Sequence, residues 1–456
     1  MAENKNIKID IDNSNNVESK KSYRKTVAML TLGCKVNQYE TQAMGEIFEK
    51  EGYNIVPDSE IADVYVINTC TVTNVGDKKS RQFIRRAKRN NPEAIIAVVG
   101  CYAQTAPKEV LSIEGVNIVI GTNERNKIVE AVKKCKVDEK ISLVDDIMKV
   151  KHFEEMSIAD VKDKTRAFLK IQEGCNQYCT YCIIPYARGP IRSRGKLEIV
   201  EEVKALVEKG FKEVVLTGIH VASYGKDLDT GSTLIDILKE VNKVKGLKRI
   251  RLSSLEPTLF TYEFLNELSK LEKICEHFHL SLQSGCNATL KRMNRKYTAE
   301  EYKEIVNRIR TVYPEVALTT DIIVGFPGET DEEFNITYNF VKEIEFSEIH
   351  VFKYSPRTGT PAAKYTNQVD GLIKHYRSEK LIELGEQLKD NYRTMFIGRN
   401  KKVLFEALSK DVTGYVEGYT DNYLKILAPA NDVKEGELDI VTLKELRQDY
   451  ILGEKK

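Results

Sequence analysis

The sequence predicts a three-part α/β chain: a small parallel α/β domain, a partial (β/α)6 barrel of the TIM type, and a small antiparallel β-barrel. Three observations lead there. Strand-length apolar runs alternate with helical patterns from about residue 26 to 146, which is the signature of a parallel sheet. A βα unit then recurs between 165 and 393, six times where a closed barrel has eight. From 394 to 456, short β-type runs are separated by Gly and Asp turns, the pattern of a small barrel.

In the first region, Val27–Leu30 precedes a helical pattern through Met44 and Phe48. Val64–Ile67 precedes a basic helix near Lys79–Arg89, and the runs Ile95–Val99 and Ile118–Ile120 follow. In the second region the expected strands are Phe168–Ile171, Val214–Leu216, Arg249–Leu252, His277–Leu282, Val316–Val324 and Ile349–Phe352. Amphipathic stretches such as Ile199–Lys209, Leu234–Val244, Ala299–Val312 and Glu332–Ile344 lie between them. The third region offers Lys402–Leu408, Tyr415–Tyr419, Leu424–Leu427 and Leu438–Leu443. A charged stretch, 147–164, reads as a linker, and the polar residues 1–25 read as a disordered tail.

Composition narrows the function class. The chain has 456 residues, 41% of them hydrophobic, enough for two or three cores. The formal net charge of +2 neither favours nor excludes nucleic acid, so any basic surface must be local. No apolar run is long enough to span a bilayer, and the start lacks the apolar stretch of a signal peptide. A cytoplasmic protein without a membrane partner is expected. Nine cysteines in such a chain point to metal or redox chemistry over disulfides.

Cys175, Cys179 and Cys182 form a C-x3-C-x2-C array directly after the first strand of the barrel region. Three soft thiolates on one loop suit an iron–sulfur cube with one iron left open. Zinc or a structural knot is the other reading, although zinc ordinarily takes four protein ligands. Polar and glycine-rich segments follow the other five strands: Thr217-Gly218, Ser253 to Pro257, Gln283-Ser284-Gly285, Gly325 to Thr330 and Tyr354 to Thr360. Singly each is a turn. Together they collect at the carboxyl ends of strands, where βα folds place active sites.

Three further cysteines, Cys34, Cys70 and Cys101, fit no zinc-finger spacing, yet each follows a strand of the first region. One sheet edge would gather all three thiols and can hold a second cluster; three buried structural cysteines are the alternative. Cys135, Cys275 and Cys286 lack such company and read as spectators.

The C-x3-C-x2-C loop at this place in a βα repeat resembles the radical S-adenosylmethionine (SAM) superfamily. With the second triad and the carboxy-terminal β region, nearly the whole chain resembles the methylthiotransferase family: an amino-terminal cluster domain, a radical SAM barrel and a TRAM domain. The resemblance implies two [4Fe–4S] clusters, held by Cys34, Cys70 and Cys101 and by Cys175, Cys179 and Cys182. It also implies SAM in two roles, as methyl donor and as the source of a 5′-deoxyadenosyl radical that removes hydrogen from C2 of an adenine. Gly218, Tyr181, Gln283 and Arg295 are the expected SAM contacts.

Gly33 to Thr41 and Ser284 to Asn287 resemble the branch that acts on N6-threonylcarbamoyladenosine in tRNA, 3′ to the anticodon. A dimethylallyl-adenosine substrate or a ribosomal-protein aspartate is the alternative, and a non-catalytic iron–sulfur RNA-binding protein is a third reading. tRNA is then the expected partner, with an electron donor of the flavodoxin or ferredoxin type and a sulfur donor that the chain does not identify. Lys78, Lys79, Arg81, Arg85 and Arg86 belong to an acid-free basic stripe suited to phosphate contacts; a solvated helix face is the plainer reading.

Overall fold

The computed structural model describes residues 24–71, 74–158 and 165–456. Most of the expected 1–25 tail and the last part of the 147–164 linker lie outside the described residues.

The amino-terminal domain is built on one parallel sheet. Its elements run β1 (Thr26–Thr31), α1 (Lys35–Lys50), β2 (Asn54–Val56), β3 (Val64–Thr69), α2 (Asn74–Asn90), β4 (Ile95–Gly100), α3 (Cys101–Thr105), α4 (Pro107–Ser112), β5 (Ile118–Ile120), α5 (Ile128–Lys134) and β6 (Ile141–Leu143). The strand order is β2-β1-β3-β4-β5-β6. Central β3 is buried along its whole length, as a strand covered on both faces must be. The edge strands β2 and β6 have three residues each and exposed positions, so they carry no apolar signature in the sequence.

The second domain starts with β7 (Arg166–Glu173), α6 (Ile184–Arg188), β8 (Arg192–Ser193), α7 (Lys196–Glu208), β9 (Glu213–Gly218), α8 (Leu234–Asn242), β10 (Arg249–Leu252) and α9 (Tyr262–Leu268). It continues with β11 (His277–His279), α10 (Asn287–Arg292), α11 (Ala299–Val312), β12 (Ala317–Val324), α12 (Asp331–Ile344), β13 (Glu348–Lys353) and α13 (Gly371–Thr394). Two parallel arcs, β7-β9-β10 and β11-β12-β13, are joined by bridges at Ile250–Ile274 and Leu255–Leu280. The result is an open six-stranded barrel whose apolar outer face packs on the helices. Capping boxes at Thr298/Glu301 and Thr330/Glu333 fix where α11 and α12 begin. Helix α1 packs against β7 and β9, so the first domain covers the open side.

The last domain is a closed barrel of β14 (Asn400–Leu408), β15 (Tyr415–Thr420), β16 (Lys425–Pro429), β17 (Leu438–Leu446) and β18 (Ile451–Lys455), in the order β14-β15-β16-β18-β17. Strand β18 pairs antiparallel with β17 and parallel with β16, which closes the barrel. With only Ile451 and Leu452 apolar, it leaves no strand pattern in the sequence. Buried arginines fasten this domain beneath the larger barrel. Arg249 donates to the carbonyls of Tyr419 (2.7 Å) and Lys402 (2.8 Å), and Arg251 to that of Asp421 (2.9 Å). Among the described residues no helix is long and apolar enough to cross a membrane.

Candidate iron–sulfur and SAM site

The loop from β7 to α6 carries Cys175, Cys179 and Cys182. Main-chain bonds from Cys175 to Gly189 and from Cys182 to Cys179, both 3.0 Å, pin it. The three cysteines line a cavity of about 860 Å³ at the carboxyl end of the barrel. Tyr181, Gly218, Gln283 and Arg295 line it too, and so does Cys34 from the other domain. Residues from two triads therefore face one space. Burial pushes the Cys175 thiol up to about 11 and the Cys182 thiol up to about 12.

Arg295 sits beside the first triad. Its Nη1 donates to Cys179 Sγ at 3.4 Å, and Nη2 holds both Glu256 oxygens at 3.1 and 3.0 Å. Gln283 occupies the left-handed region at φ 70°, unusual for a residue with a side chain. A side chain at Gly218 would press on Gln172, whose carbonyl lies 2.9 Å from the would-be Cβ.

The second triad forms at the sheet edge. Cys34 caps α1, Cys70 follows β3, and Cys101 opens α3 after β4. Two glycines make the approach possible. Gly33 has φ 105° and a Cβ there would lie 2.7 Å from the Cβ of Cys70; Gly100 has φ 94° and its Cβ would strike Asn68 and Thr69. Burial pushes the Cys101 thiol up to about 12, against the opposing pull of Arg188.

The donor sets fit iron–sulfur clusters better than zinc. Among the described residues, none of the six cysteines is joined in a disulfide. One zinc ion, with Zn–S bonds of about 2.3 Å, would draw its sulfurs to about 3.8 Å from one another. Among the described residues, the one group of three or more metal-type ligand atoms that all lie within 4.8 Å of one another is His279, Asp321 and His350, not either cysteine triad. Cys135 and Cys275 are buried away from this cavity, and buried Cys286 caps α10.

Beneath the triads a buried ionic seam welds the two domains. Arg188 on α6 reaches Glu40 at 2.6 Å, Glu173 at 2.6 Å and Asn37 at 2.7 Å. Lys170 joins Glu40 and Glu173 at 3.3 and 3.1 Å. Arg125 pairs with Glu40 at 2.5 Å and with Glu154 at 2.7 Å. Counting Arg192, which lies 3.7 Å from Glu173, four cations face three carboxylates. Sequence reasoning missed this seam because nothing local marks a charged residue as buried. It also missed Glu256 as the partner of Arg295, and Lys35, His279 and His350 in the cavity wall.

The basic stripe divides in two. Arg81 pairs with Glu109 at 3.6 Å, and Arg86 pairs with Asp58 at 2.5 Å while lying over the Phe83 ring. Lys78, Lys79 and Arg85 face solvent. Of these, Arg85 borders an open groove that Arg81, Lys88 and Arg89 also line.

Comparison with known proteins defines the class first. Residues 169–341 match the radical SAM superfamily, and residues 26–121 match the uncharacterized protein family UPF0004. In fold, the chain is similar to the radical SAM methyltransferase TsrM of Kitasatospora setae, with a TM-score of 0.55 and 15% identity over 75% of this chain and 77% of that one. In sequence it is similar to the threonylcarbamoyladenosine tRNA methylthiotransferase MtaB of Bacillus subtilis, 47% identical over 94% of this chain and 95% of that one. The Aquifex aeolicus protein of the same name is 42% identical over 88% and 96%. A Clostridium tetani tRNA-2-methylthio-N(6)-dimethylallyladenosine synthase is 37% identical over 89% and 91%. The chain belongs to the radical SAM methylthiotransferase family, whose cofactors are SAM and [4Fe–4S] clusters.

Proposed function

We propose that this enzyme converts N6-threonylcarbamoyladenosine, 3′ to the anticodon of a cytoplasmic tRNA, to its 2-methylthio derivative. The observation that carries the reading is the shared cavity: Cys34 of one triad and all three cysteines of the other open onto it. In this reading Cys175, Cys179 and Cys182 hold the cluster that binds SAM, and Cys34, Cys70 and Cys101 hold the auxiliary one. When bound, these groups supply radical generation and a place for sulfur. The chain's own residues do the rest. Arg295, fixed by Glu256, holds a positive charge against Cys179. Tyr181, Gly218 and Gln283 wall the space for SAM. The domain seam sets the spacing of the two triads.

Lys78, Lys79 and Arg85 supply free cations for tRNA phosphates. A small redox protein of the flavodoxin or ferredoxin type delivers the electron. The substrate choice follows the relatives of higher identity. Mass spectrometry of tRNA nucleosides from cells lacking the gene tests it. Loss of the 2-methylthio-threonylcarbamoyl nucleoside, with its precursor accumulating and both recovering on complementation, supports the reading. An untouched nucleoside pool, or a lost methylthio group on the dimethylallyl nucleoside instead, overturns it.

A further inference from the structure

The barrel turns a polar face inward. Along β11 and its extension, His277, His279, Ser281 and Gln283 line the cavity, while Phe278, Leu280 and Leu282 between them are buried in the helix-facing core. Strand β12 adds Thr319 and Asp321 to the cavity, and β13 adds Glu348 and His350. The strands are in register, with His279 opposite Thr319 and Asp321 opposite His350. A closed eight-stranded barrel fills its interior with branched apolar side chains, whereas this open one keeps a cavity there. An inner face of imidazoles, hydroxyls and carboxylates asks for a polar ligand.

Within that face, His279, Asp321 and His350 converge, with polar atoms within 4.8 Å of one another. His279 Nδ1 shares a hydrogen bond with Thr319 Oγ1 at 3.0 Å, and its Nε2 lies 3.3 Å from Asp321. Among the described residues, two buried atoms at the cavity, His277 Nδ1 and Ser253 Oγ, have no hydrogen-bond partner. The charge is also telling. Lys35 extends from the first turn of α1 into the cavity, where no carboxylate lies within ion-pair distance of it among the described residues. Arg166 and Arg251 lie toward the same end. An ammonium with no carboxylate in ion-pair reach is a receptor for an anion.

We propose that this inner face seats the amino-acid arm of the substrate adenosine. Lys35 pairs with the carboxylate of the arm, and His279 and His350 hold its hydroxyl and ureido groups, with Asp321 orienting His279. The inference rests on the threonylcarbamoyl reading above and names the residues that make it. A hydrocarbon arm would leave these polar groups desolvated and unpaired, the strongest kind of discrimination a binding site has.

The test uses holoenzyme with both clusters reconstituted, kept anaerobic with SAM present. Two anticodon stem–loop RNAs are compared, one carrying N6-threonylcarbamoyladenosine and one carrying plain adenosine. Wild type is expected to bind the modified RNA at least about tenfold more tightly, the equivalent of one good ion pair. Lys35→Met and His350→Phe are expected to bring that ratio to within about twofold, and Lys35→Arg to restore it. His350 is exposed to the cavity and not packed in a core, so its replacement spares the fold. Should Lys35→Met lose iron through its neighbour Cys34, His350→Phe decides alone. An undiminished ratio in His350→Phe, with wild type forming methylthio product, overturns the inference and leaves the substrate reading standing. Wild type forming no methylthio product on the modified RNA overturns both.

Discussion

Arg188 donates from Nε to the sulfur of Cys101 at 3.3 Å, while its other two nitrogens hold Asn37, Glu40 and Glu173. A residue six positions beyond the last cysteine of one triad thus touches a cysteine of the other. Arg188→Met would leave two buried carboxylates short of a cation. Breaking a buried ion pair from one side costs about 3–5 kcal/mol. A matching fall in stability by chemical denaturation is expected, together with reduced iron on the auxiliary site. Arg188→Lys keeps the charge but not the fork, and should recover only part of the loss. A variant as stable as wild type would show that the seam does not bear on the fold.

The same seam sets the acid limit of stability. Burial alone would raise the Glu40 pKa, yet Arg125, Arg188 and Lys170 lower it from 4.5 to about 2. Glu173 is lowered well below its ordinary value by Lys170, Arg125 and Arg188, again against the effect of burial. A depressed carboxylate stabilises fully above its unfolded pKa and stops doing so as pH falls through its folded one. Stability should therefore drop between about pH 4.5 and pH 2. Glu40→Gln should be less stable at neutral pH and show a shallower decline over that interval, read from denaturation midpoints against pH.

The two triads should separate functionally. Cys179→Ala is expected to abolish reductive SAM cleavage, measured as 5′-deoxyadenosine. Cys34→Ala is expected to keep that cleavage and lose methylthiolation. Each variant should fall from about eight iron atoms per chain to about four after reconstitution. Full iron in either variant would remove that cysteine from the ligand set.

RNA affinity should depend on the free cations of α2 and not on the paired ones. Lys78→Ala and Arg85→Ala should each weaken tRNA binding and flatten the plot of log affinity against log salt by about one unit. Arg86, already held by Asp58 at 2.5 Å, should contribute little to that slope and more to stability. Equal slope changes at Arg85 and Arg86 would mean that the ion pair opens when RNA binds.

What the sequence revealed was what repeats or alternates. Cys34, Cys70 and Cys101 were legible because each ends a strand, and the shared sheet edge follows from the parallel topology. Every second residue from His277 to Gln283 is polar, so two faces were readable, though not that the polar one lines the site. Arg188 and Glu40 look like ordinary surface charges, because they meet each other across 148 positions of chain. Arg86 likewise reads as part of a basic stripe until Asp58, 28 residues earlier, is placed beside it.

The seam also dictates a timetable for making the protein. Glu40 and Arg188 are 148 positions apart, so a ribosome adding about 5–20 residues per second needs roughly 7 to 30 s to supply the second after the first. Until then the nascent first domain holds Glu40 against Arg125 alone. Cys101 gains its arginine partner only after the loop bearing Cys175, Cys179 and Cys182 has been synthesised. Iron meeting Cys34, Cys70 and Cys101 before residue 188 is made would find a pocket that lacks this arginine.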